Sequence, residues 1–443
     1  MVKQTSAQTE APKGTSSPEA IRKQLVLTGA DIVQLGESAE LLVGGKNYNT
    51  AIISEIKEIQ APHFRAISSV AFHRVLDECK VNSRLVRAVV DREYGRIDWN
   101  DPVINSDPDY LQKLVRRLGK QIRETIAEEQ DPGSTKLRTF INNVVEGFAT
   151  SPEGIDQLRK RSVMVQAAIL STPLPPEVDA AVRSAYKAIC DANEDEMVPV
   201  AVRSSAAGED SRKKAFAGLQ DTYLNMVGPD NVAEAYHWDC ASAYNLRSMT
   251  YRREAISDAI AKADELGDES IGEAAKKEWA IEGTSLSVCI MQMINPVVSG
   301  TAFAADTATG CRGTDRKDLV SIDASYGLGE AVVGGKVTPD KLYVFTRDDG
   351  QEVIIRQMGC KDMRIVYDER GGTREEEVPE LESLRWALSL SQASTVARGV
   401  RAVSKAYGGI IMDTEFCIDA KDKLWFVQAR PETRWNDELE KHP

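Results

Sequence analysis

The chain has 443 residues, of which 42% are hydrophobic and 28% charged, and a net charge of −13. That length supports two or three lobes with cores of their own. The acidic balance argues against a general nucleic-acid binder, which needs a Lys/Arg surplus to neutralise a phosphate backbone.

The first 23 residues, rich in Ser, Thr, Pro and Lys, are expected to form a disordered tail. They lack the apolar stretch of a secretion signal, and no run of about 18 apolar residues exists to span a membrane. Past Leu25 the chain meets LLVGGKN, and Tyr48 to about Gln60 places Ile52, Ile53, Ile56 and Ile59 on one helical stripe. Residues 61–197 carry mostly the 3.6 period of helices. At Val198 the texture changes: VPVAVRSSA reads as a strand, and FAGLQDTYLNM as a turn and a strand. A helical stretch over 231–263 and a charged connector to about Gly283 follow. LSVCIMQMI, GTAFAAD, LVSIDASYG and KLYVFTR then read as successive strands. A long helix is predicted over 378–407, stopped by Gly408 and Gly409, before two closing strands, IIMDTEFCID and LWFVQAR. The layout is α+β, with a helix-rich first part (24–283, including the helical segment 61–174), a sheet-rich second part (284–434) and a tail or linker over 435–443. A cleft between the two is the natural ligand site.

Seven cysteines without a CxxC spacing suit reduced thiols in a cytoplasmic protein. Among the four histidines, His237 comes closest to a metal pair, with Cys240; one such pair makes no zinc site.

The closing strands carry the most local information. A four-residue loop over Ala420–Lys423 would set Asp419 opposite Leu424, Glu415 opposite Gln428 and Asp413 opposite Arg430. Thr414, Phe416, Ile418, Trp425 and Val427 would then share a packed face. The other face would present a carboxylate, an amide oxygen and a guanidinium, groups suited to Mg²⁺ and phosphate; a solvated face with one salt bridge is the alternative. In GGKN, Gly44 and Gly45 permit close backbone approach and Lys46 supplies a mobile charge, although short Gly-Gly-Lys turns are common. VAVRSSAAGED delivers Arg203 at a strand end, followed by Ser204 and Ser205, and the stretch through Gly218 could fold over phosphates or be a plain surface loop. In SYGLGEAVVGGKV, Glu330 could bond ribose hydroxyls or simply start a helix.

In order, VGGKN, PVAVRSSAAGED, FAGLQDTYLN, YGLGEAVVGGKVTPDKLYV, GCKDMRIVY and DTEFCID…LWFVQARPET resemble the nucleotide-binding domain of the phosphoenolpyruvate synthase family. Related domains occur in pyruvate phosphate dikinase, rifampin phosphotransferase and phenylphosphate synthase. The resemblance covers roughly 38–60 and 175–434 and implies an ATP-grasp fold holding ATP between two lobes. It implies that Lys46 and Arg203 hold phosphates, that Glu415 and Gln428 bind Mg²⁺, and that Arg430 stabilises the transferring phosphoryl group. Glu330 would lie near the ribose. Residues 204–218 would form the phosphate lid, and the nucleotide-binding set implied is Ser204, Ser205, Gly218, Gln220, Thr222 and Met293 together with those already named. Two departures stand out: Ile290-Met291-Gln292-Met293 replaces the family's Val-Gln-x-Met beside adenine, and Tyr326 stands where Trp is frequent.

Full-length relatives carry a swivelling domain with a catalytic histidine in a Thr/Ser-rich motif. None of His63, His73, His237 or His442 has those flanks, so all four are expected to be structural. The expected activity is a Mg-ATP phosphotransferase module that phosphorylates a histidine on a separate domain or subunit, as an excised synthase domain or as a separate subunit of a phenylphosphate synthase-type enzyme. The rivals from other classes are an ATP-sensing module without transfer and an ATP-grasp ligase forming an acyl phosphate.

Overall fold

Thirteen strands build the region of interest: β1 (Val26–Leu27), β2 (Phe64–Ile67), β3 (Val200–Ala206), β4 (Thr222–Met226), β5 (Leu286–Gln292), β6 (Pro296–Phe303), β7 (Val320–Tyr326), β8 (Asp340–Thr346), β9 (Glu352–Gln357), β10 (Met363–Tyr367), β11 (Thr373–Glu377), β12 (Met412–Asp419) and β13 (Leu424–Pro431). They come from a computed structural model, which describes residues 16–148, 154–206, 210–211, 214–215, 221–278, 280, 284–306, 318–347, 349–432 and 435–436. A first sheet has the order β1-β2-β5-β3-β4 and a second the order β9-β8-β7-β6-β12-β13, all pairs antiparallel; β10 and β11 form a separate hairpin.

In β5 the apolar residues run without alternation because both faces are covered. Val288 and Ile290 join a large core shared with the helices of the first part, including Tyr110–Glu129 and Ile155–Ser171. Cys289 and Met291 face a smaller core beneath the helix Glu40–Ser54. Residues of 61–174 and strands β3 and β5 thus share one core, and β2, inside that helix-rich segment, pairs directly with β5. The boundary expected at 283/284 falls before β5, and the chain passes from the first sheet to the second only after Gln292.

Strand β7 alternates instead. Val320, Ile322, Ala324 and Tyr326 point into a core closed by the helix Leu390–Ala406, while Ser321, Asp323 and Ser325 point to the other face.

Several expectations are corrected. The tail reading fails over 18–21, where Ser17 caps a short helix, Pro18–Ile21, whose Ile21 is buried. The stripe from Tyr48 belongs to a helix starting at Glu40 and ending at Ser54, bent at Gly44. The charged connector holds the helix Glu269–Glu278. The long helix over 378–407 is two, Glu380–Ser383 and Leu390–Ala406, because Ser389 and Gln392 form a capping box that starts the second afresh.

Candidate functional site

The closing hairpin sets Glu415 opposite Gln428 and Asp413 opposite Arg430, by a route the sequence did not suggest. Its loop has three residues, not four. Asp419 N–H bonds Lys423 O at 3.1 Å, and Asp422 takes the left-handed conformation (φ 61°) that ends such loops. Ile418, rather than Asp419, therefore faces Leu424, Phe416 faces Phe426, and a β-bulge at Val427 then restores the expected pairs. Phe426 enters the core. Trp425 stays on the other face, its indole N–H donating to Asp419 at 3.0 Å, and Val427 turns toward a cavity.

Glu415 also pairs with Thr301 on β6, and Thr301 with Asp323 on β7. One polar row thus crosses four strands, Asp323–Thr301–Glu415–Gln428, on the face away from the second core. Burial raises the carboxyl pKa of Asp323 above its usual range, and its Oδ1 makes no hydrogen bond although Lys341 lies 3.7 Å away. Burial likewise raises Asp413, opposed by the ion pair with Arg430 at 2.8 Å.

Arg203 lies in the middle of β3 and not at its end as expected, paired with Thr222 on one side and Cys289 on the other, and it links the two sheets: its Nη2 donates to Gln428 Oε1. Lys46 Nζ donates to Ser204 O at 3.2 Å. Gly44 (φ 74°) allows this approach, since a Cβ there would stand 2.2 Å from Ser205 O. Gly44 therefore fits the helix against β3, and Lys46 reaches the strand's backbone at Ser204. Ser204 and Ser205 are fully buried, with the Ser204 hydroxyl donating to Asp221 O at 3.3 Å and Ser205 Oγ accepting from Asn47 N–H at 3.2 Å. The Ser205 hydroxyl thus ties β3 to the helix Glu40–Ser54, and the Ser204 hydroxyl ties β3 to the residue before β4. Lys46 and Arg203 both act on Cys289, partly offsetting the burial that pushes its thiol up to about 12.

A cavity of about 320 Å³ opens between the sheets, lined among others by Arg203, Thr222, Met293, Leu328, Glu330 and Glu415. That volume suits a small-molecule ligand. Glu330 begins the short helix Glu330–Val333 and accepts from Thr373 Oγ1 at 3.2 Å. Met293 follows β5, its Sδ accepting from Asn225 N–H at 2.9 Å. Arg430 is turned to Asp413 and is not among the residues lining this cavity. Gly218 and Gln220, with most of the expected lid, lie outside the described residues. A larger space of about 860 Å³ adjoins and shares Thr222, Leu224 and Glu330. Asn225 borders it; the sequence reading passed over this residue, whose only local signal is an asparagine in a strand rich in β-formers.

Among the described residues no group of three or more His, Cys, Asp and Glu is arranged to hold a metal. Glu415 and Gln428 still offer two neighbouring oxygen donors, a set that fits Mg²⁺ when phosphate oxygens complete its shell, because Mg²⁺ uses one or two carboxylates and seldom an all-protein cage.

Residues 40–443 match the family described as pyruvate phosphate dikinase, AMP/ATP-binding domain. The chain belongs to that family. A phosphoenolpyruvate synthase of Neisseria meningitidis serogroup B is 33% identical over 292 residues, covering 63% of this chain and 33% of its own length. A probable phosphoenolpyruvate synthase of Staphylothermus marinus is 32% identical over 389 residues, 80% of this chain and 43% of its own. A rifampicin phosphotransferase of a Streptomyces species is 30% identical over 393 residues, 88% of this chain and 34% of its own. The chain thus spans about a third of the length of the first curated relatives it matches. Among the described residues no helix is long and apolar enough to cross a membrane.

Proposed function

We propose that this chain is an ATP-grasp module that binds Mg-ATP between the two sheets and donates a phosphoryl group to a histidine on another domain or subunit of a dikinase-type enzyme. The contact between Arg203 and Gln428 carries the reading: a guanidinium from the first sheet meets an amide oxygen from the second, beside Glu415, and both Arg203 and Glu415 line a cavity. Arg203 and Lys46 supply positive charge for the phosphates, and Arg430 steadies the group in transfer. Glu330 meets the ribose and Met293 the base. Glu415 and Gln428 would hold Mg²⁺, which when bound supplies charge neutralisation for the phosphate oxygens. His237 suits no carrier role: it is buried, its Nε2 lies 3.0 Å from Ile169 O, and burial lowers its pKa to about 4.

Calorimetric titration with ATP, with and without Mg²⁺, tests binding. Arg203→Ala should weaken Mg-ATP roughly 10- to 100-fold, the worth of a charge-assisted contact. A wild-type chain with no magnesium-dependent uptake of ATP overturns the reading. Transfer is tested with β- and γ-labelled ATP and a histidine-bearing domain of a relative; label on a small carboxylate would instead favour a ligase.

A further inference from the structure

Strand β4 pairs with β3 as Val200↔Met226, Val202↔Tyr223 and Arg203↔Thr222, so Leu224 and Asn225 together oppose Ala201. This is a bulge, and Asn225 takes its left-handed conformation (φ 54°), which asparagine tolerates better than other side chains. The bulge turns the Asn225 amide out of the ladder toward the β10–β11 hairpin. Its Nδ2 donates to Asp368 O at 2.8 Å and Gly372 O at 2.9 Å, the two carbonyls at the base of the hairpin's turn. The same residue's backbone N–H donates to Met293 Sδ. Asn225 is buried, so these bonds meet little competition from water.

The hairpin borders the larger adjoining space and bonds two residues that line the cavity. Thr373, directly after Gly372, bonds Glu330, and the Tyr367 hydroxyl donates to Ile294 O at 2.7 Å, one residue beyond Met293. One asparagine therefore fixes the hairpin that bonds Glu330 and also holds Met293, and both of those residues line the cavity.

We propose that Asn225 is a positioning residue: it latches the β10–β11 hairpin onto the first sheet and so sets the ribose and base end of the nucleotide cavity, leaving the phosphate end to Lys46 and Arg203. The proposal rests on reading the cavity as an ATP site. Asn225→Gly keeps the left-handed backbone and removes the amide; Asn225→Asp keeps the shape but sets an acceptor against two carbonyls.

Hydrogen exchange over residues 363–377 and calorimetric affinities for ATP and for tripolyphosphate, a probe lacking ribose and base, test it. In Asn225→Gly the hairpin should exchange at least tenfold faster and ATP should bind about tenfold more weakly, the loss of one or two hydrogen bonds. Tripolyphosphate should change less than about threefold. Asn225→Asp should show the larger effects. Thr373→Val, which leaves the bulge untouched, should reproduce part of the ATP loss and guards against a variant that fails to fold. Unchanged hairpin exchange overturns the latch, as does equal weakening of ATP and tripolyphosphate. A wild-type chain that binds no ATP overturns the nucleotide reading itself, and the exchange measurement on the free chain then decides the latch alone.

Discussion

The two sheets bordering the cavity present their polar groups by different means. The second sheet uses register: Asp323, Thr301, Glu415 and Gln428 sit on consecutive strands in one row, at the roughly 4.8 Å spacing that strand pairing imposes. The first sheet is less regular: Arg203 sits in the middle of a strand, Met293 just past a strand end, Asn225 on a bulge. The surroundings differ as well. The core against the first sheet packs around a histidine kept neutral, whereas strand β8 of the second begins at an ion pair, Lys361–Asp340, with no exposure on either side chain. A row set by register moves as a whole when the ladder shifts, and a group on a bulge can be changed without moving its neighbours.

The sharpest contrast lies in those two buried groups. Asp340 accepts from Lys361 Nζ at 2.6 Å, Gly359 N–H at 2.9 Å and Ala387 N–H at 2.7 Å, tying β8 to the loop before the hairpin and to the approach of the last helix. Lys361→Met strands a buried carboxylate and should cost about 3–5 kcal/mol in urea unfolding. Adding Asp340→Asn should restore part of that loss. If Lys361→Met costs under about 1 kcal/mol, the second sheet does not depend on its charge pair.

Next in size is the register itself. With Phe426 inside, Phe426→Ala should lose about 3 kcal/mol and Trp425→Ala about 1 kcal/mol or less. A regular four-residue hairpin predicts the reverse order, so the two melting curves choose between the arrangements.

The first sheet's neutral histidine gives a smaller effect, visible only in acid. Burial lowers His237 from the ordinary 6.5 to about 4. The unfolded chain therefore binds the extra proton first, and stability falls as pH drops from 6.5 towards 4. The loss is at most roughly 3.5 kcal/mol, since each tenfold difference in proton affinity between the folded and unfolded chain is worth about 1.4 kcal/mol. His237→Gln, which can still donate to Ile169 O, should flatten the stability–pH curve in that window relative to wild type. An unchanged slope would show that other groups carry the acid sensitivity.

The legible parts of the molecule share a cause. Alternating strands such as VSIDASY display their two faces in the residues, and the pairing of Glu415 with Gln428 could be counted from a loop. What could not be read were one-residue irregularities and contacts distant in sequence. The left-handed Asp422 and the bulge at Val427 shift the ladder once each and cancel, so the right pairs emerged from the wrong loop. Ser204 and Ser205 looked like phosphate donors because nothing local reveals that both are buried, Ser205 under the Gly44 bend. Asn225 met its partners across more than 140 residues, and β2 was lost among helices because a four-residue strand has too little pattern to stand out.

The bulge at Val427 offers the finest test of how register and irregularity divide the work. Removing Val427 leaves Phe426 directly before Gln428, so a regular ladder would still place Phe426 inward opposite Phe416 and Gln428 outward opposite Glu415. The row should survive. Lost would be the side chain's partial packing against the core under Glu40–Ser54 and the local twist of the edge strand, about 1–2 kcal/mol together. Mg-ATP affinity should fall less than about fivefold, far less than for Arg203→Ala. If the deletion instead abolishes binding while the chain stays folded, the bulge does more than correct the count: its bend must be what brings Gln428 within reach of Arg203.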